Sequence, residues 1–317
     1  MAEADAPPTA RAQHSNAGGA LPAAPGSFEG DTAVAELSRE GGGEQPPRAE
    51  FSAEISPDWR AGRGPHGGYI AAILMRALIA AVAEPQRSPR SLTIHYARAP
   101  EPGPVRIVTS IERAGRSLST LSARMEQDGR LITLALAAFS VPWSAPEVAE
   151  LAMPRVAPPD PEIRPGVPLF AGAPPFTRHL VVQGRIGAMP FTGSDQPMEV
   201  GAWLGLAEPR AIDAISLAFF SDALFSPPFI RLREPATTPT IDLTVHFRKP
   251  LAPAPAPPSI GVGNVSQAAA EHELCFARFR SGLIQDGFFE EDGVIWAADG
   301  TVLAQSRQLG IVMALNR

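Results

Sequence analysis

The longest apolar run in the chain, Gly67–Val82 (GGYIAAILMRALIAAV), carries one charge, Arg76. It is too short to span a bilayer, and a helix with no polar face must be buried on most sides. A second largely apolar stretch, Pro209–Phe225 (PRAIDAISLAFFSDALF), opens on a proline suited to a first helical turn and is closed by Pro227–Pro228. Runs rich in β-branched and aromatic residues, each ending at a proline or opening on a DG turn, follow both helices and read as strands.

These runs repeat. SLTIHYARAP at 91–100 matches DLTVHFRKPL at 242–251, an offset of 242 − 91 = 151 residues, so that Leu92, Thr93 and His95 meet Leu243, Thr244 and His246. DGRLITLALAAFSV at 128–141 matches DGTVLAQSRQLGIV at 299–312, an offset of 299 − 128 = 171. Two matches in the same order argue for an internal duplication, the second copy carrying an insertion.

One buried helix followed by long antiparallel strands is satisfied by a curved sheet wrapped round the helix, since each covers the other's apolar face. That is the hotdog arrangement, and two copies joined edge to edge also remove exposed sheet edges. The expected class is therefore α+β, a double hotdog. Residues 49–145 form the first unit and 176–317 the second. Residues 146–175, rich in proline, are expected as an irregular linker, and 251–258 (LAPAPAPP) as an extended loop. Residues 1–48, rich in Ala, Pro, Gly and Glu, hold few large apolar residues and are expected as a disordered tail.

Composition narrows the field. A net charge of −6 gives nucleic acid no general attraction. The single cysteine, Cys275, excludes a disulfide framework and a CxxC site, and its apolar surroundings mark it as inert. No signal peptide is legible at the start, and a cytoplasmic protein without a membrane anchor is expected. Nucleotide-binding glycine loops, a GxSxG elbow and metal-ligand spacings are missing from the sequence, so neither metal nor redox cofactor is expected.

The ordered set GPHGGYIAAIL, SLTIHYARAP, GRSLSTLSARMEQDGR, SDALF, TIDLTVHFRKP and DGTVLAQSRQLG resembles the type II acyl-coenzyme A thioesterases and their thioesterase-like relatives over roughly residues 50–315. The resemblance implies hydrolysis of acyl-CoA, a place in fatty-acid metabolism, and water activation by an aspartate on the second helix, a threonine entering the next strand and a glutamine on the last. The matching residues are Asp222, Thr240 and Gln308. It leaves open whether Asp222 is base or nucleophile and whether the chain forms a homo-oligomer. The first-half glycine segment PHGGY and the 251–258 loop depart from the family pattern.

The repeats support the same residues. Gln308 falls opposite Ala137 and Thr240 opposite Pro89, so polar groups stand in one copy only. Buried polar groups cost about 1–3 kcal/mol unless partnered, which points to a site in the later copy. For Gln305 and Arg307 a solvent-facing edge is the plainer reading. Asp222, beside Phe219, Phe220 and Phe225, is expected near a helix C-terminus, where the dipole and desolvation make it a better base. Asp242 alternates with Thr240 and is expected on the same strand face. His95 and His246, equivalent in both copies, read as structural. His66, Gly67 and Gly68 open the first buried helix, where free N–H groups suit an oxyanion; a tight-packing loop is the plainer alternative. The rival functions are a hydratase or dehydratase on the same fold, needing an Asp–His pair, and a non-catalytic acyl-CoA binder.

Overall fold

The structure is a computed structural model that describes residues 26–41, 46–162, 164–251 and 273–315. Its main strands are β1 (Ala35–Glu40), β2 (Arg48–Ile55), β3 (Ser88–Tyr96), β4 (Gly103–Ala114), β5 (Leu118–Gln127) and β6 (Arg130–Ser140) in the first half. In the second they are β7 (Leu180–Ile186), β8 (Glu199–Leu206), β9 (Thr240–Phe247), β10 (Cys275–Arg280), β11 (Phe288–Ala297) and β12 (Val302–Ile311). Helix α1 spans Gly67–Val82 between β2 and β3, and α2 spans Ala214–Phe220 between β8 and β9.

All twelve strands join one antiparallel sheet in the order β1-β2-β4-β5-β6-β3-β9-β12-β11-β10-β8-β7. Read from the centre outward, the two halves are the same list: β3 corresponds to β9, β6 to β12, β5 to β11, β4 to β10, β2 to β8 and β1 to β7. The doubling expected from the sequence is therefore built as a seam between β3 and β9. Leu92 pairs with Ala137 as Leu243 pairs with Gln308, which reproduces both sequence offsets in the strand register. One continuous apolar core fills the inside of the sheet and includes both helices.

Helix α1 buries every residue except Gly67, Arg76, Ile79 and Ala80, packs on β2 through β6, and stops where Ala83 turns left-handed (φ 51°) ahead of Pro85. Helix α2 is shorter than the Pro209–Phe225 expected. The Asp213 side chain accepts the N–H groups of Ile215 and Ser216 and fixes its start. A tight turn, with the Asp222 N–H on the Phe219 carbonyl, ends it. Asp222 thus lies beyond the helix, not on it. No helix among the described residues is long and apolar enough to cross a membrane.

The tail expected over 1–48 is ordered from Gly26 to Gly41. Phe28, 2% exposed, opens a single helical turn and packs its ring on Trp59 at 5.6 Å and Phe219 at 5.4 Å. Asp31 in that turn accepts the Trp59 indole N–H at 2.8 Å, and β1 follows. One aromatic ring anchors a stretch whose average composition is that of a loose chain; residues 1–25 lie outside the described residues. Between residues 146 and 174 there is no helix or strand among the described residues, yet the segment is docked: Trp203 donates its indole N–H to the Ala157 carbonyl at 2.8 Å on the outer face of the second half. Of the 251–258 loop only Leu251 is described.

Candidate active site

The two helices meet end to end. The N-terminus of α1 abuts the turn after α2, and two glycines permit this: a Cβ on Gly68 would collide with the Phe219 carbonyl, and one on Gly67 would lie 2.7 Å from Asp222 Oδ2. The room left by the missing side chains of Gly67 and Gly68 is thus taken by the chain itself. Gly68 donates its N–H to Asp222 Oδ2 at 3.0 Å. Asp222 follows the C-cap of α2, near that helix's C-terminus as expected, and its carboxylate also meets the N-terminus of α1, which was not expected. Gly68 is therefore not a free oxyanion donor, which leaves Gly67.

His66 caps this junction. Its Nε2 donates to the Asp222 carbonyl at 2.7 Å and lies 3.4 Å from Asp222 Oδ2, while its ring stacks on Phe176 at 4.0 Å. Burial lowers its pKa, against the opposing pull of Asp222, and so favours the neutral ring. With the proton on Nε2, the buried Nδ1 is left without a partner among the described residues. The Tyr96 phenol donates to the Gly67 carbonyl at 3.0 Å, and burial, then Asp222, holds it well above its ordinary pKa as a proton-bearing donor.

A cavity of about 1200 Å³ opens over this junction. Gly67, Tyr96, Asp222 and Thr240 line it together with Phe225 and Phe229. The Asp222 side chain remains 16% exposed, enough to meet a water. Arg60, Arg63 and Arg98 line the same cavity where it reaches solvent, and none of them is ion-paired among the described residues.

Thr240 owes its direction to a β-bulge. Between Thr240 and Asp242 the β9–β12 register slips, so Thr240 stands opposite Gly310 and Asp242 opposite Leu309. The same slip occurs at Pro89–Ser91 in the first half. It turns Thr240 toward the inner face and separates it from Asp242, which stands opposite the exposed His95. The shared face expected for these two residues is therefore not found. Thr240 Oγ1 donates to Gln308 Oε1 at 2.8 Å, and Gln308 Nε2 donates to Glu291 Oε1 at 2.7 Å.

Gln308 is 3% and Glu291 4% exposed. Burial pushes the Glu291 carboxyl up to about 8, with Asp222 and Asp292 adding to the rise and Gln308 opposing it. Glu291 was not among the residues expected. The strand register sets it at the position of Leu121, as Gln308 stands at that of Ala137. The later copy thus carries Thr240, Gln308 and Glu291 where the earlier carries Pro89, Ala137 and Leu121. Gln305 and Arg307 point outward as expected, to Arg248 and Asp292, but β12 is flanked by β9 and β11 and is not the edge strand expected. His95 and His246 are both exposed on the outer face, while Cys275 is buried with its thiol pKa raised by desolvation.

The profile of the acyl-CoA thioesterase N-terminal domain matches residues 55–140, and that of the C-terminal domain matches residues 152–312. An uncharacterized protein of Mycobacterium tuberculosis is 27% identical over 293 residues, covering 83% of this chain and 91% of the relative. A hot dog fold protein of unknown function from Alicyclobacillus acidocaldarius superposes with a TM-score of 0.73 at 24% identity, over 90% of this chain and 98% of that one. An acyl-CoA thioesterase II from Mycobacterium marinum superposes with a TM-score of 0.65 at 16% identity, over 92% and 99%. These likenesses give the paired units the double hotdog fold.

Proposed function

The chain belongs to the acyl-CoA thioesterase family, and we propose that it cleaves its acyl-CoA substrate with a water held by Asp222 and Thr240, Gln308 supporting Thr240. The observation that carries this reading is the one-sided polar set: Thr240, Gln308 and Glu291 stand where the other repeat carries Pro89, Ala137 and Leu121, and Thr240 opens with Asp222 on one apolar-walled cavity.

The acyl chain lies in the cavity between Phe225 and Phe229, and the Gly67 N–H meets the thioester carbonyl oxygen. Thr240 gives its own proton to Gln308, so its lone pairs accept one hydrogen of the water while Asp222 accepts the other. The water oxygen attacks the carbonyl carbon as its proton passes to Asp222. The tetrahedral oxyanion collapses, the C–S bond breaks, and the thiolate takes that proton. A thiol pKa of about 8.5 makes sulfur a good leaving group. Arg60, Arg63 and Arg98 at the mouth suit the phosphates of coenzyme A.

A hydratase needs an acid–base pair, and His66 does lie against Asp222. Its ring is enclosed, however, with Nε2 bonded to a carbonyl and Nδ1 buried, so it has no nitrogen to offer a double bond. The test is free-thiol release from acyl-CoA esters of increasing length by the wild type and Asp222→Asn. The wild type should release thiol, and the variant should lose at least a hundredfold in kcat/KM. A folded Asp222→Asn protein with unchanged turnover removes Asp222 from the chemistry. Hydration of crotonyl-CoA without thiol release would establish the hydratase, and tight binding with no reaction a carrier.

A further inference from the structure

We propose that Glu291 is a positioning residue of the hydrolysis: by accepting from the Gln308 amide it fixes the direction of the Thr240–Gln308–Glu291 hydrogen-bond chain and so turns the lone pairs of Thr240 toward the attacking water. This rests on the water-activation reading above.

The argument is geometric. An amide can present either end to a neighbour, and a hydroxyl can donate or accept, so Thr240 and Gln308 alone could bond in two directions. Glu291 selects one of them. Its Oε1 accepts Gln308 Nε2 at 2.7 Å, as it can both in the carboxylate and in the acid with its proton on the other oxygen, Oε2; this leaves Gln308 Oε1 for Thr240 at 2.8 Å and sets Thr240 as the donor. The Thr240 lone pairs are then free on the cavity side. Held the other way, the Thr240 proton would point at the water and occupy the lone pair needed for attack.

Glu291 also has no structural task that explains it. It is buried and, among the described residues, makes no ion pair and leaves Oε2 without a partner. The charged groups around it are Asp222 beyond α2 and Asp292, the latter turned outward to Arg307. The same place in the first half is filled by Leu121, which packs fully buried against Ala137. A buried acid retained where leucine serves the fold is a cost carried for a purpose other than packing.

The experiment measures kcat and KM for Glu291→Leu, Glu291→Gln, Gln308→Ala and the double variant Glu291→Leu/Gln308→Ala, whose column copies the first half. Glu291→Leu should lose at least tenfold in kcat with KM within about twofold. Glu291→Gln, whose amide oxygen can accept the same bond, should stay within about threefold. The double variant should match Gln308→Ala, because Glu291 acts only through Gln308. Wild-type kcat in Glu291→Leu, or a double variant slower than Gln308→Ala by the full Glu291→Leu factor, overturns the proposal. Should Glu291→Leu fail to fold, the comparison of the double variant with Gln308→Ala decides: equal rates support it and a further loss overturns it. Asp222→Asn separates the two readings. If it is active, the water-activation reading fails; if it is dead while Glu291→Leu runs at the wild-type rate, only the role of Glu291 fails.

Discussion

The carboxylate of Asp222 accepts the backbone N–H of Gly68 at 3.0 Å, tying the turn after one buried helix to the first turn of the other. The aspartate comes from the second repeat and the helix terminus from the first, so the site exists only because the two copies are packed together. The glycines on either side of that bond differ in what they face. A methyl group on Gly68 meets backbone, the Phe219 carbonyl, and on Gly67 it is crowded by the end of the Asp222 side chain, 2.7 Å away, with the Tyr96 ring at ordinary contact distance. Gly68→Ala should therefore cost several kcal/mol and show as a large fall in Tm. Gly67→Ala should fold with a small change in Tm and lose at least tenfold in kcat/KM as the carboxylate is displaced. A Gly67→Ala enzyme with wild-type kinetics would show that the seating of Asp222 does not matter.

Glu291 makes stability depend on pH in a defined sense. Its carboxyl titrates near 8 in the folded protein against 4.5 for an ordinary glutamate, so the folded state holds the proton more tightly. The stabilisation is complete below about 4.5 and is lost as pH rises through 8, a change on the order of a few kcal/mol. Glu291→Gln cannot ionise. Relative to the wild type, its Tm should rise steadily from pH 5 to 8 and level off above that. His66, present in both proteins with the same surroundings, cancels from the comparison. A Tm difference that stays constant over this range would mean that Glu291 is charged in the folded state.

The three arginines at the cavity mouth should matter for the carrier and not for the acyl group. Arg63→Glu/Arg98→Glu should raise KM for acyl-CoA about fivefold to tenfold at low ionic strength, less as salt screens exposed charge. The same acyl group on N-acetylcysteamine, which carries no phosphate, should be hydrolysed by variant and wild type alike. Equal losses on both substrates would place the effect inside the cavity instead.

The doubling was legible because register is a local property carried by many residues. Thr93 and Thr244, one sequence offset apart, share a hydrogen bond of 3.1 Å across the seam, so the repeat relation seen in the sequence is the symmetry of the sheet. Gln308 was legible by the same route, as a polar residue at an apolar position. Glu291 was not, since FFEEDGVIW has large side chains on both faces: Phe289 is buried and Phe288 exposed, and only the register shows which glutamate turns inward. The faces of Thr240 and Asp242 were misread because alternation fails at a bulge. The start of the second helix was misread because Asp213, through a local cap on Ile215 and Ser216, begins it four residues after Pro209; its end was misread because the junction with α1, a tertiary contact, stops it.

Phe28 lies in the stretch that composition marks as loose, and it offers the sharpest check on how that stretch is held. Its ring is enclosed by Trp59 and Phe219, and the next residue, Glu29, pairs with Arg76 of α1 at 2.7 Å and with Arg210 ahead of α2. Removing the ring leaves a cavity against two aromatic faces, so Phe28→Ala should cost about 3–5 kcal/mol. Glu29→Gln, partly exposed, should cost about 1 kcal/mol or less. Phe219 also sets its edge against the His66 ring at 5.2 Å, so the same loosening reaches the cap over Asp222. Phe28→Ala should accordingly lower kcat a fewfold at temperatures where it is still folded, while Glu29→Gln leaves kcat unchanged. Thermal unfolding followed beside steady-state turnover checks both. A Phe28→Ala protein as stable as the wild type would show that residues 26–41 rest on the core without contributing to it.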